Sequence, residues 1–261
     1  MTSSKETPQP PALRLLADAL RGTAKLFGPV IAHAWPRLLF LHAIQLGASQ
    51  FFSFAMDFIR LSGREDLGLI ALIAASELIF SLLWSAAWIL AVATVAHETL
   101  RAHAAPGPGY GEEMVKHFNQ IVIEQTRSMA AILWRAPLLI IPALVQYVRL
   151  TFVPLIVIFD PHYSMGQVDA LKRSRELTRG YFLLLALLVV FSTLVPWTVE
   201  ELTQGSGGPW IWENPLGVLV SSALTLPINV AISLLLYFVF RGINPLPETP
   251  PPAPALEGAG V

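Results

Sequence analysis

The chain has little charge. Of its 261 residues only 13% are Asp, Glu, Lys or Arg, about half the roughly 25% of a soluble domain. That scarcity excludes intrinsic disorder of the whole chain and most soluble globular folds. Cysteine is absent altogether, which removes disulfides, thiolate zinc sites, iron–sulfur clusters and cysteine nucleophiles in one step. A net charge of −1 lacks the basic excess with which proteins engage nucleic acids, so no nucleic-acid partner is expected. The first residues, MTSSKETPQPP, carry no apolar core of a cleaved signal, and apolar residues begin only near Leu13.

What is present is apolar sequence: 54% hydrophobic residues and a mean hydropathy of +0.58. The expectation is an all-α polytopic membrane helix bundle in one domain, residues 12–243. It is flanked by a disordered tail at 1–11 and a Pro-rich disordered tail at 244–261, where NPLPETPPPAPALEGAGV has no apolar period. A spanning helix needs about 20 mostly apolar residues. Residues 38–58, 68–96, 181–199 and 215–240 each meet that need. Asn214 and Pro215 suit the cap and first position of the last helix.

The stretch 129–159 is about 46 Å long if it is one helix, too long for an upright span and too short for two. It holds Pro137, Pro142 and Pro154, each able to break a helix. Charge decides between the two readings, because cytoplasmic loops collect Lys and Arg. With the N-terminus inside, a single crossing at 129–159 would place Lys172, Arg173, Arg175 and Arg179 outside. A pair of short helices that enters and returns keeps them inside, and leaves 200–214 outside with Glu200, Glu201 and Glu213 and no basic residue. The topology expected is therefore about six membrane segments, two of them short, with both termini in the cytoplasm of a bacterial cell and the bundle in its inner membrane. Trp197, Trp210 and Trp212 then mark the outer interface, Trp35 and Trp134 the inner one, and Trp84 and Trp88 pack within the second span.

Three basic amphipathic stretches, 13–34, 111–128 and 164–180, precede apolar segments, as helices lying in the interface do. In the first, Leu16, Leu20 and Phe27 form a face opposite Arg14, Arg21 and Lys25. In the third, ALKRSRELTRG at 170–180, Ala170, Ser174, Leu177 and Tyr181 share one face and Lys172, Arg175 and Arg179 another, with Gly180 as the stop. Lys172, Arg173, Arg175 and Arg179 are candidate contacts for anionic lipid headgroups, each worth about 1 kcal/mol near the surface. They serve either plain anchoring and topology control or recognition of a lipid or a membrane-protein partner.

The run 141–190 resembles a group of bacterial multi-pass membrane proteins that includes YciC-like inner-membrane proteins and the membrane domain fused to some glycerophosphodiester phosphodiesterases. The matching residues are Pro142, Arg149, Asp160, Gly166, Ala170, Leu171, Arg173, Ser174, Leu177, Thr178 and Gly180. The family often has an aromatic residue after the serine, where this chain has Arg175. The resemblance implies a multi-pass inner-membrane protein, without phosphodiesterase activity, since the catalytic domain of those fusions has no room here.

Glu77 lies about ten residues into the second span, where a charge costs roughly 2.5–3.5 kcal/mol and calls for a partner. Arg135 and Arg149 are its candidate partners, and Asn229, beside Pro227, completes the expected intramembrane polar cluster, with His42 and Gln45 able to join. Such a cluster serves as a packing ion pair, a transport pathway or a headgroup pocket. Ser81 and Ser85 fit the small-xxx-small spacing of close helix contacts. HETLRAH at 97–103 places Arg101 where a zinc-binding helix needs its second histidine, and neither a nucleophile elbow nor a Walker loop occurs. No enzyme activity, metal or cofactor is expected. The leading expectation is a lipid-associated scaffold or accessory protein using its basic helices. The alternative is a small-solute or lipid transporter with its polar site around Glu77 and the broken segment.

Overall fold

A computed structural model describes residues 10–61, 67–101, 110–135, 140–204 and 214–245. The predicted tails, apart from Pro10, Pro11, Asn244 and Pro245, and Pro137, Trp210 and Trp212 lie outside the described residues. The elements are α1 (Ala12–Leu61), α2 (Leu67–Arg101), α3 (Tyr110–Leu133), α4 (Ile140–Leu150), α5 (Val153–Phe159), α6 (Pro161–Ser164), α7 (Ala170–Arg179), α8 (Phe182–Gln204) and α9 (Pro215–Ile243). The described residues form an all-α bundle with no strand, and five stretches are long and apolar enough to cross a membrane: Ala12–Ile59, Leu67–Leu100, Ile141–Phe159, Phe182–Thr203 and Pro215–Ile243.

The first amphipathic stretch and the first span are one helix. At 1.5 Å per residue, its 50 residues make a rod about 75 Å long. Pro29 and Pro36 lie inside it without ending it. The reason is packing. Leu15, Ala19, Leu26, Val30, Ala34 and Leu38 are buried in a stripe at helical spacing, and this stripe lies along α9. The Gly22 Cα faces the Phe238 ring, and Gly242 faces the Leu15 side chain, at distances that leave no room for a Cβ. The expected face of Leu16, Leu20 and Phe27 is thus corrected by one register. Leu20 is 52% exposed, and the first half of α1 stands against α9 rather than lying flat in an interface.

The helices α1 and α9 run antiparallel, Leu15 meeting Gly242 at one end while Ser49, Ser53, Val218 and Ser221 share a cavity toward the other. Beside them, α2 also runs antiparallel to α1: Phe52 packs on Phe80 at 6.0 Å, and Trp88 Nε1 donates to Gln45 Oε1 at 3.1 Å. One end of the bundle, near Leu15, His97 and Ile243, therefore holds both chain ends of the described domain. Asn214 caps α9 as expected, accepting from the Gly217 N–H at 2.9 Å.

The segment 129–159 is broken, at the turn Trp134–Arg135 and again at Thr151 and Phe152. It goes in and comes back. Ile132 at the end of α3 and Tyr147 in α4 line the same gap beside Ser85 of α2, deep in the bundle. The return leg ends at Asp160, which bonds Asn244 at the end of α9. Although Ile141–Phe159 is long and apolar enough to cross, it forms the returning leg of a helical hairpin. Trp134, expected at the inner interface, is 82% exposed in the turn at the hairpin tip instead.

The helix α5 is the plug of the bundle. Val153, Pro154, Leu155, Ile156 and Val157 are all buried. Its flanks stack aromatic rings, Phe152 on Phe240 at 5.5 Å and Phe159 on Tyr237 at 5.7 Å, while His97 contacts the Phe159 ring at 4.9 Å.

Candidate functional site

At the end of the bundle that holds the termini, short polar side chains tie the hairpin to its neighbours. The Asp160 carboxylate, fully buried, accepts from the His162 N–H at 2.9 Å, from Arg173 Nε at 3.3 Å and from Asn244 Nδ2 at 3.1 Å. Arg173 Nη2 also donates to Asn244 Oδ1 at 3.1 Å. Asn244, expected in a disordered tail, is 8% exposed and built into this lock. The Ser174 hydroxyl donates to the Arg149 carbonyl at 2.7 Å, fastening α7 to α4.

A second tie joins α3 to the loop before α7. Arg127 Nη1 bridges both oxygens of the buried Glu124 at 2.8 Å, and its Nη2 reaches Asp169 Oδ2 at 2.7 Å. The Tyr163 hydroxyl donates to Glu124 at 3.3 Å. Burial, with the neighbouring Glu124 charge, pushes the Tyr163 phenol up to about 12. Asp169 caps α7 through the Lys172 N–H at 3.0 Å. Burial works against its ionisation, but the Lys172 N–H and Arg127 outweigh this and hold it below the usual carboxylate range.

The four candidate lipid contacts therefore divide. Arg173 turns inward as the partner of Asp160, because a fully buried carboxylate requires a cation or several donors. Lys172, Arg175 and Arg179 remain exposed on the opposite face of α7, whose Ala170, Ser174 and Leu177 are buried as expected.

Inside the bundle the hairpin leaves space. A cavity of about 670 Å³ lies between α2, α4, α8 and α9, with Ile132 and Leu133 near the hairpin tip in its wall. Apolar side chains such as Leu78, Trp84, Leu144 and Leu236 dominate its wall, and hydroxyl and amide groups interrupt them. Most of these polar groups are satisfied locally: Ser192 and Thr193 donate to the Val189 carbonyl at 2.7 and 3.1 Å, and Ser85 meets the Tyr147 hydroxyl at 3.5 Å. Others are not: Trp84 Nε1 is buried without a partner, and the Asn229 amide, on the turn after Pro227, and the Ser81 and Ser233 hydroxyls have none among the described residues. No described Lys, Arg, Asp, Glu or His lines this cavity. Ser81 and Ser85, expected to permit close helix contact, face it instead, because the hairpin does not fill the groove beside α2.

A second cavity of about 240 Å³ adjoins it between α1, α2, α8 and α9, away from the termini. Gln45, Phe80 and Ser81 line both. The smaller one is polar, with His42, Gln50, Glu77, Glu200, Ser222 and Thr225 in its wall. Both ring nitrogens of His42 are fully buried and without a hydrogen-bond partner.

Of the expected cluster, the structure brings Glu77, His42 and Gln45 together and sets Asn229 in the adjoining space. It separates both arginines from Glu77. Arg135 lies in the turn at the hairpin tip, where its Nη1 donates to the Ala131 carbonyl at 3.4 Å. Arg149 is exposed at the far end of α4, beside Ser174. Neither forms an ion pair with Glu77. The hairpin explains this: a returning α4 carries Arg149 away from the end of α2 that holds Glu77. Glu200, read from sequence as part of an external loop, lies instead on α8, which runs on to Gln204. The overlooked signal is that Ser192, Pro196 and Glu200 recur every four residues and share one helical face. Among the described residues no group of three or more His, Cys, Asp or Glu is placed to hold a metal ion. Comparisons with family models, with curated proteins and with solved structures found no match to this chain.

Proposed function

We propose that the protein is a non-enzymatic, multi-pass protein of the bacterial inner membrane that binds and handles a lipid-like amphipathic molecule, with both termini cytoplasmic. The 670 Å³ cavity carries this reading. Its volume falls within the roughly 300–1,000 Å³ of small-molecule sites, and its wall has the same mixture of apolar surface and a few placed polar groups. Its mostly apolar wall favours a hydrocarbon chain over water. Broken helices beside a cavity within the bundle are also the pattern on which many transporters build their sites.

The exposed Lys172, Arg175 and Arg179 support the orientation, since basic residues beside a membrane segment favour the cytoplasmic leaflet and its anionic headgroups. The resemblance to YciC-like proteins adds to the same reading. An accessory role would use this face of α7 for lipids or a partner protein, while the cavity binds its ligand.

Filling the cavity tests the proposal. Ser192→Phe projects a ring into the space while keeping α8 helical. The variant, purified in mild detergent, is expected to lose at least tenfold of the co-purifying lipid signal that native mass spectrometry reads from the wild type. Equal lipid retention by both proteins would refute the site. The orientation has its own test, made clean by the absence of native cysteine. Ser206→Cys, between α8 and α9, is expected to react with an impermeant thiol reagent added to intact spheroplasts, and labelling only after lysis would reverse the topology.

A further inference from the structure

We infer that the ligand of the 670 Å³ cavity presents a neutral carbonyl to hydrogen-bond donors in the cavity wall, with its apolar chain along the rest of the space. The inference rests on the cavity reading above and adds the chemical class of the polar group that enters.

The wall holds donors in excess. Trp88 Nε1 can only donate, so its 3.1 Å bond to Gln45 sets the amide with its oxygen toward Trp88. The amide N–H groups of Gln45 are left over, without a partner among the described residues, and Gln45 lines the cavity. Trp84, also in the wall, lies one turn before Trp88 on the same face of α2. Its N–H is again donor only, and it is buried without a partner. Ser85 and Tyr147 share one bond between two hydroxyls, so one O–H of the pair remains to be given. On α9, Asn229 and Ser233 are four residues apart and share one helical face. Both line the cavity, and neither side chain has a partner among the described residues. Ser233 is only 4% exposed, so its hydroxyl has little besides the cavity to turn to. Buried donors left unpaired are costly, and a ligand that accepts from them removes that cost.

The charge of the ligand follows from what the wall lacks. No described Lys, Arg, Asp, Glu or His lines this cavity. An ammonium head would add donors to a wall that already has too many, and would meet no counter-charge. A carboxylate or phosphate would accept, yet would bring its charge into low-dielectric surroundings with no cation beside it. A carbonyl oxygen is neutral, has two lone pairs and donates nothing. It therefore answers the wall in both hydrogen bonding and charge.

The test compares 1-monododecanoylglycerol with 1-O-dodecylglycerol, which differ only in the carbonyl. Each is titrated against the purified full-length protein and read by native mass spectrometry, with dodecylammonium and dodecanoate as charged probes of the same chain length. The wild type is expected to bind the ester at least about fivefold more tightly than the ether or either charged probe. The double variant Trp84→Phe, Asn229→Leu removes the N–H donors and keeps an aromatic ring to stack on Phe80. It is expected to bind the ether as the wild type does, which shows that the fold and the chain site persist, and to favour the ester by less than about twofold. Trp84→Phe alone, the gentler change, is expected to lose part of the preference. Decylubiquinone, whose carbonyls are ketones, identifies the source: tighter binding of it than of the monoester assigns the carbonyl to a quinone, and the reverse order to an acyl ester. Equal binding of ester and ether by the wild type, tighter binding of a charged probe, or an unchanged preference in both variants would overturn the carbonyl inference and leave the chain site standing. If no probe binds, or Ser192→Phe binds all of them as the wild type does, the cavity reading itself fails, and this inference falls with it.

Discussion

Replacing Asp160 with alanine is expected to lower stability by about 3–5 kcal/mol. The carboxylate is fully shielded from solvent and receives three donors from three elements: the His162 N–H, Arg173 Nε and Asn244 Nδ2. Removing it leaves the guanidinium of Arg173, itself only 27% exposed, without its counter-charge. The damage comes less from the lost attraction than from the desolvated cation left behind. Asp160→Asn keeps the shape and an acceptor oxygen and should cost less. Asp160→Ala combined with Arg173→Met removes both charges, and should recover a good part of the loss. For a chain of this size about 1 kcal/mol corresponds to roughly 2–4 °C, so the melting temperature in detergent, followed by tryptophan fluorescence, should fall by at least about 6 °C. A drop under about 2 °C would show that Asp160 does not hold the hairpin to α7 and α9.

Much of this architecture is legible in the sequence, because lipid is a demanding solvent. Backbone groups must be satisfied within a helix, so hydropathy alone places α2, α8 and α9 to within a few residues. Charge asymmetry also predicts the in-and-back hairpin, since Lys172 to Arg179 cannot share a side with the acids of 200–214. What hydropathy cannot read is the partner of a face. The stripe Leu15–Ala19–Leu26 and the stripe Leu16–Leu20–Phe27 are offset by one residue and both apolar, the second even more so, and only the presence of α9 selects the first. The same limit applies to Arg173. Within ALKRSRELTRG it is one basic residue among four, and nothing local marks it as the partner of a carboxylate thirteen positions earlier. Depth is legible and pairing is not. Glu77 therefore appears in sequence as a charge in need of an arginine, whereas in the fold Arg135 stays in the turn at the hairpin tip, Arg149 rides away on the returning leg, and Glu200 lines the same cavity as Glu77.

The second large effect is expected at Phe152, and it tests whether α5 is the core of the bundle. Phe152 has no exposed surface, packs against Phe240 and leads into the fully buried run Val153–Val157. Phe152→Ala should cost about 3–5 kcal/mol by the pattern of large-to-small core substitutions. The membrane setting moves the expectation to the lower end. A chain unfolded within lipid keeps its apolar side chains in hydrocarbon, so the transfer part of the loss shrinks and the lost packing contacts remain. Phe191→Ala on α8 is the control. It removes the same ring from a position 61% exposed, where lipid replaces the lost contacts, and it should change stability by no more than about 0.5 kcal/mol. The comparison separates packing from hydrophobicity, because both variants delete the same apolar area and only one opens a void. Equal losses at the two positions would mean that α5 is not packed as a plug, and that the cavity beside it is not bounded by a rigid wall.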